Sequence, residues 1–327
     1  SSTGSFTHLK ATTFAGDGSG LTNTALDGTV SSSAQIASDI CGSFNKGFEY
    51  TGDIRTAKGV WSEIASLNTG RTNPFIAGNQ NASLVAGGGN SPASPYYTDN
   101  SEEFDGSSWT EGDNMITAGR QGHASAGTQN AAVFAGGYIH PGAVACTEEY
   151  NGTSYATGGA LNVARWNGFG AGTQTSALSV GGQTPSVQDK TELYDGNAFS
   201  QLPVNIGGTS NITSGDGASS NDALAIGDSP ATTSVRQWDG ITWFGVADTV
   251  ENDTNRAATG TTTDFIAYGG SESAVQTTEQ FDGSSWSVGG DYPIATLRAE
   301  AGSQGGGSSA WGVGGAGPAP TTHRTDA

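Results

Sequence analysis

Residues 101–109 read Ser-Glu-Glu-Phe-Asp-Gly-Ser-Ser-Trp, and residues 278–286 read Thr-Glu-Gln-Phe-Asp-Gly-Ser-Ser-Trp. Between them stand three variants of the same run, ending at Tyr155, Phe199 and Trp243. Trp61 opens the series, so the closing aromatics fall at 61, 109, 155, 199, 243 and 286. A fixed recurrence of this kind is the mark of a repeat architecture, and the period of roughly 45 residues suits one supersecondary unit. Working outward, each aromatic is followed by a short strand-sized piece such as Ser62–Asn68. A second piece usually carries an Arg near its start: Arg71, Arg120, Arg165, Arg256 and Arg298. A turn such as Gly127-Thr128-Gln129-Asn130-Ala131 leads to a short apolar run, which ends in Gly-Gly at 87–88, 136–137, 181–182, 269–270 and 314–315. Gly227-Asp228 holds that place in the fourth unit.

The residue types explain the pieces. Asp-Gly between apolar strands is a hairpin signal. Gly-Gly after a strand allows positive φ and close backbone approach. Leu84-Val85-Ala86 and Val133-Phe134-Ala135 are continuous apolar runs, as in strands covered on both faces. One four-stranded unit cannot bury its own faces, whereas radial stacking does, and closing the ring removes the long edges. The expected fold is therefore all-β: a six-bladed β-propeller of four-stranded blades over residues 48–327. Closure follows from the ends. Thr321–Ala327 aligns with Thr277–Gly283 and stops before the next aromatic strand, while Gly59–Ile64 has no unit before it. Val60–Ile64 is expected to complete the last blade, with Phe48-Glu49-Tyr50 as a rival contributor.

Bulk composition agrees. With 52 Gly and 13% charged residues the chain is not helical, because each interior Gly costs helix stability. The net charge of −19, from 31 acids and 12 bases, excludes nucleic acid as a partner and disfavours an anionic membrane surface. No apolar stretch reaches membrane-spanning length, so membrane insertion is not expected. Cys41 and Cys146 share no metal or disulfide spacing and read as free thiols. The chain starts at Ser1 rather than Met, which fits a processed or partial product. Residues 1–47 differ from the rest: Gly/Ser/Thr-rich, with one short helix expected at Ser33–Cys41, where Ile36 and Ile40 lie four apart after a Ser cap. The segment is too thin for a core of its own and is expected to serve attachment or oligomerisation.

The Gly-Gly doublet, the acidic-aromatic strand and the following Trp resemble the kelch repeat over residues 48–327. The fuller wording at Leu161–Arg165, Ala126–Gly137 and Thr147–Tyr155 resembles repeats of virion structural proteins of tailed bacteriophages, especially marine ones. Phe14–Asn23 and Ser31–Phe44 are similar to segments of phage tail-fibre chains, with Cys41 where a small residue such as Ser is expected. The resemblance implies a non-enzymatic virion component at the particle surface: a tail-fibre, appendage or capsid-surface protein. Residues 1–47 would then meet other virion proteins, the chain would form a homo-oligomer, and the propeller would present itself to a host-surface glycan or protein. The alternatives are a glycosidase-like propeller enzyme and a kelch adaptor for a protein partner.

No catalytic residue is assigned. Asp105 and Asp282 invite comparison with sialidase Asp-boxes, but turn chemistry already explains Asp-Gly. His8, His123, His140 and His323 lack metal-ligand spacing, and there is no phosphate loop or nucleophile elbow. No cofactor or metal is expected, although the oxygen-rich loop Tyr97–Glu103 leaves calcium open. Arg71 with Glu102, Arg120 with Glu148, Arg165 with Glu192 and Arg256 with Glu279 recur together and are expected as structural charge pairs. In the fourth unit Gly208 and Arg236 replace both members, and in the last His323 stands opposite Arg298 in place of Glu. Antiparallel order puts the second turns and the links between blades on one face, and those turns vary from unit to unit. Tyr96, Tyr97, Asp99, Tyr138 and His140 lie there and are the candidate binding residues, since function gathers on loops over a rigid scaffold. Local packing against the rim is an equally compatible role.

Overall fold

Among the described residues five Asx-Gly turns recur, and their geometry sets the repeat. Asp105 accepts hydrogen bonds from the N–H groups of Ser107 and Ser108, both at 2.8 Å, while Gly106 sits at φ +93°. Asn151, Asp195, Asp239 and Asp282 repeat the arrangement, each ahead of a Gly at positive φ. The hairpin expected from Asp-Gly is present, but its loop holds four residues, since Phe104 pairs with Trp109. The carboxylate takes the two N–H groups that the loop leaves unpaired. Donation from Ser108, then from Ser107, holds the exposed Asp105 carboxyl at a pKa of about 2.

The computed structural model describes residues 60–326 except 90–95, 118, 123, 208–213, 228–231, 253–255, 271–275, 294–299, 303–309 and 314–321. Its strands form a β-propeller. Five blades use consecutive segments, ordered from inner to outer strand. The first is Phe75–Asn79, Ala82–Ala86, Ser101–Phe104 and Trp109–Glu111. The second is Ala124–Thr128, Ala131–Ala135, Thr147–Tyr150 and Tyr155–Gly158. The third is Phe169–Thr173, Ser176–Val180, Thr191–Tyr194 and Phe199–Gln201. The fourth is Ser214–Ser219, Asp222–Ile226, Val235–Trp238 and Trp243–Gly245. The fifth is Ala257–Thr261, Asp264–Tyr268, Thr278–Phe281 and Trp286–Val288.

The expectation of six blades is corrected at this point: the propeller has five blades of contiguous strands, and the remaining four-stranded sheet is a composite of the two chain ends. Glu300–Gly302, Trp311–Val313 and Thr322–Asp326 receive Val60–Ile64 as their outer strand, with Ser62 opposite Arg324. Val60–Ile64 thus pairs where the sequence placed it. Each inner strand lies against the next from the first blade to the fifth, and Glu300–Gly302 contacts both Ala257–Thr261 and Phe75–Asn79. Trp61 fixes the composite sheet to the fifth blade through its Nε1–H, which donates to Thr278 Oγ1 at 3.0 Å, and through edge contacts with Tyr268 and Tyr292. The expected helix at 33–41, the attachment segment 1–47 and Phe48–Tyr50 lie outside the described residues.

Side chains of alternating strand residues fill the spaces between blades. Phe75, Leu84, Phe134 and Tyr155 form one such layer, and Phe169, Leu178, Ile206 and Trp238 another. Polar staples register the layers. Gln129 donates to the carbonyls of Ser83 and Phe104 in the first blade, and Gln174 repeats this one blade later on Ala132 and Tyr150. Tyr150 donates to Glu103, and Tyr194 to Glu149 at 2.5 Å. Buried polar groups of this kind persist because each finds a partner.

Candidate functional site

The foundation of the variable-loop face is a buried charge clamp repeated around the propeller. Arg71 meets Glu102 at 2.5 Å, Arg120 meets Glu148 at 3.3 Å, Arg165 meets Glu192 at 3.0 Å, and Arg256 meets Glu279. All eight side chains are buried. Each Glu rises from the third strand of its blade and accepts N–H groups of the incoming link: Asn68 and Thr69, Ile116 and Thr117, Asn162, and Val250 and Glu251. In the first three blades the Arg also donates to the carbonyl of the first Gly of the doublet and to the carbonyl just before the third strand, as Arg165 does to Gly181 and Lys190. One guanidinium therefore ties link, second strand and third strand together, which suits its five fixed donors. Burial pulls the Arg165 pKa down to about 10, against the opposing pull of Glu192, so the ion stays charged at neutral pH.

In the fourth blade Arg236 occupies the Glu position and donates to the carbonyl of Ile206 in the link. The charge reversal exchanges an acceptor of link N–H groups for a donor to a link carbonyl, so the link remains held. Gly208 and Arg298 lie outside the described residues, and the side chain of His323 is not described.

The doublet glycines connect adjacent blades. Gly88 N–H donates to the Arg120 carbonyl at 2.8 Å, and Gly137 N–H donates to the Arg165 carbonyl at 2.9 Å. Gly137 sits at φ +117°, and a Cβ there would stand 2.3 Å from the Gln121 carbonyl oxygen. Only Gly admits both the conformation and the approach.

In the first three blades the residue after the clamp Arg emerges on the variable face. Thr72 bridges to Gly89, Gln121 to Tyr138 and Trp166 to Gln183. This placement assembles an aromatic strip across three blades. The Tyr97 ring meets Tyr138 edge-on at 6.3 Å, and Tyr138 packs on Trp166 at 5.0 Å. His140 stands 6.4 Å from Tyr138 ring to ring, with its Nδ1 3.4 Å from the Tyr138 hydroxyl. Burial raises the Tyr97 phenol above its ordinary pKa, with Tyr138 adding to the shift. Two short ribbons, Tyr138–Ile139 with Gly142–Ala143 and Gln183–Thr184 with Ser186–Val187, lie side by side as a rim.

Of the candidate binding residues, the structure brings together Tyr97, Tyr138 and His140. Tyr96 is 70% exposed and joins none of these ring contacts. Asp99 accepts from Met115 N–H through its backbone carbonyl. Trp166 is the addition that sequence reasoning missed. Its signal was its place directly after Arg165, matching Thr72 after Arg71 and Gln121 after Arg120.

In the loop Tyr97–Glu103 two carboxylates are engaged by other partners: Glu102 is bound to Arg71, and Glu103 accepts from Tyr150. Among the described residues no three His, Cys, Asp or Glu side chains form a metal-holding group. Cys146 is a free thiol whose Sγ lies 3.1 Å from Arg120 Nη1, and Cys41 lies outside the described residues. Comparison with known protein families and with curated proteins finds no match to this chain.

Proposed function

We propose that the chain is a non-enzymatic structural protein of a tailed-bacteriophage virion: a kelch-type propeller whose variable face serves attachment to the host surface. The aromatic strip is the observation that supports attachment most strongly. Tyr97, Tyr138, His140 and Trp166 come from three blades, yet meet on the one face whose loops differ from unit to unit. A rigid clamp beneath and variable chemistry above is the division of labour expected of a recognition surface. The composite sheet joins the chain ends through Val60–Ile64 and Thr322–Asp326, so the edges that remain are the short outer strands. The virion assignment rests on the wording of the repeats and on Phe14–Asn23 and Ser31–Phe44, which resemble phage-fibre segments. In this reading residues 1–47 bind other virion proteins, and the −19 charge keeps the outward domains from clumping.

The test is mass spectrometry of density-purified particles, with immunogold labelling of intact ones. Peptides of this chain in stoichiometric amount and surface label are expected. Absence of the chain from particles that retain their other structural proteins would overturn the assignment.

A further inference from the structure

We infer that the strip Tyr97–Tyr138–Trp166, flanked by Gln121 and His140, is a subsite for an uncharged saccharide. This inference rests on the attachment reading and names its ligand class. Three observations lead to it. First, the rings are only partly buried, and they lie tilted or edge-on to one another rather than closing into a sealed core. Such rings retain the apolar faces on which the C–H side of a sugar ring packs.

Second, polar groups that serve hydroxyls border the strip. The Tyr138 hydroxyl and His140 lie at its outer end. Thr72, Gly89 and Gln121 meet at the boundary of the first and second blades. There a Cβ on Gly89 would stand 2.7 Å from Thr72 Oγ1 and 3.1 Å from Gln121 Nε2, so the absent side chain keeps those groups close. Hydroxyls and amides both donate and accept, as saccharide hydroxyls do.

Third, the cations are spent. From residue 71 to residue 201 the only Lys and Arg residues are Arg71, Arg120, Arg165 and Lys190. The three Arg are buried in clamps, and Lys190 lies 3.6 Å from the Asp189 carboxylate. No guanidinium in these blades is left for a carboxylate or sulfate group, and the net charge of −19 repels such ligands further. The chemistry selects a neutral sugar over sialylated, uronic or sulfated ones, and over an acidic protein patch.

The experiment uses the full chain on an array of neutral gluco-, galacto- and manno-oligosaccharides beside sialylated and sulfated glycans, with calorimetry on the best ligand. Binding confined to neutral glycans is expected. Trp166→Ala and Tyr138→Ala should each weaken it at least tenfold, Trp166→Phe by no more than about threefold, and Phe244→Ala on the outer strand of the fourth blade not at all. Thermal melts of every variant separate lost binding from lost folding, and Trp166→Phe keeps the test open if the alanine variants unfold. No binding to any neutral glycan, equal binding to acidic glycans, or unchanged affinity in a folded Trp166→Ala would overturn the inference. A chain found in particles that binds no saccharide refutes this inference alone. A saccharide-binding chain missing from particles refutes only the virion role.

Discussion

Replacing Arg165 by Met is the sharpest probe of the clamp. The substitution keeps most of the aliphatic volume and removes the charge. Glu192 is fully buried and loses its ion pair, retaining only the N–H and Nδ2–H donors of Asn162. The carbonyls of Gly181, Lys190 and Ser179 lose the same guanidinium. Leaving one member of a buried pair uncompensated costs about 3–5 kcal/mol. In a domain of this size that corresponds to a fall in Tm on the order of 10 °C. The double variant Arg165→Met/Glu192→Leu removes both charges and should recover much of the loss, because an apolar pair can replace a buried ion pair at little cost. Arg165→Gly/Glu192→Arg copies the fourth unit, with Gly208 and Arg236. It should be more stable than Glu192→Arg alone, since Arg at 192 can donate to the Leu161 carbonyl as Arg236 does to Ile206. Urea unfolding of these variants together with Glu192→Leu, which closes the cycle with Arg165→Met, gives the coupling energy. A loss under about 1 kcal/mol for Arg165→Met, or strict additivity of the two sites, would show that the clamp does not hold the blade.

Three further outcomes follow from particular contacts. Gly137→Ala places a Cβ against the Gln121 carbonyl at φ +117°, so a loss of more than about 2 kcal/mol is expected by urea unfolding, whereas Gly142→Ala, which meets nothing within 4 Å, should change little. Asp216 takes the inner-strand position of Ala77, Ala126 and Ala171. There it accepts hydrogen bonds from Gly217 N–H, from Thr259 Oγ1–H at 2.6 Å and from Gly260 N–H across the blade boundary. Desolvation raises its pKa to about 7. The folded state therefore holds a proton that the unfolded chain releases near pH 4, and this site's contribution is lost as pH rises from about 4 through 7. Relative to wild type, Asp216→Ala should gain roughly 2–4 kcal/mol between pH 4 and pH 8, and a flat difference would contradict the assignment. Asp282→Ala frees the N–H groups of Ser284 and Ser285 in an exposed turn, so a small fall in the urea midpoint is expected, with no effect on saccharide binding.

The scaffold was legible because each blade returns the same chemistry to the same place. Asx-Gly followed by an aromatic marks the outer hairpin, and Gly-Gly marks the point where one backbone meets the next. The pairing of Val60–Ile64 with Thr322–Asp326 followed from the unmatched ends. The Arg–Glu pairs were visible because Gly208 and Arg236 changed together. The strip was only half visible. Tyr97, Tyr138 and His140 lie in loops whose variability drew attention to them, while Trp166 lies in a link where Thr72 and Gln121 occupy the matching places and no repeat flags an aromatic. Asp216 was hidden for a related reason: one carboxylate among the small residues of inner strands looks like a turn residue until Thr259 is seen opposite it.

Cryo-electron microscopy of intact particles tests the central proposal most directly, because it reads composition, fold and orientation together. The expected density is a propeller of five contiguous blades and the composite sheet, joined to the particle through residues 1–47, with Tyr97, Tyr138, His140 and Trp166 facing solvent. Particles that lack this density, or a propeller docked with that aromatic face against another virion protein, would contradict it.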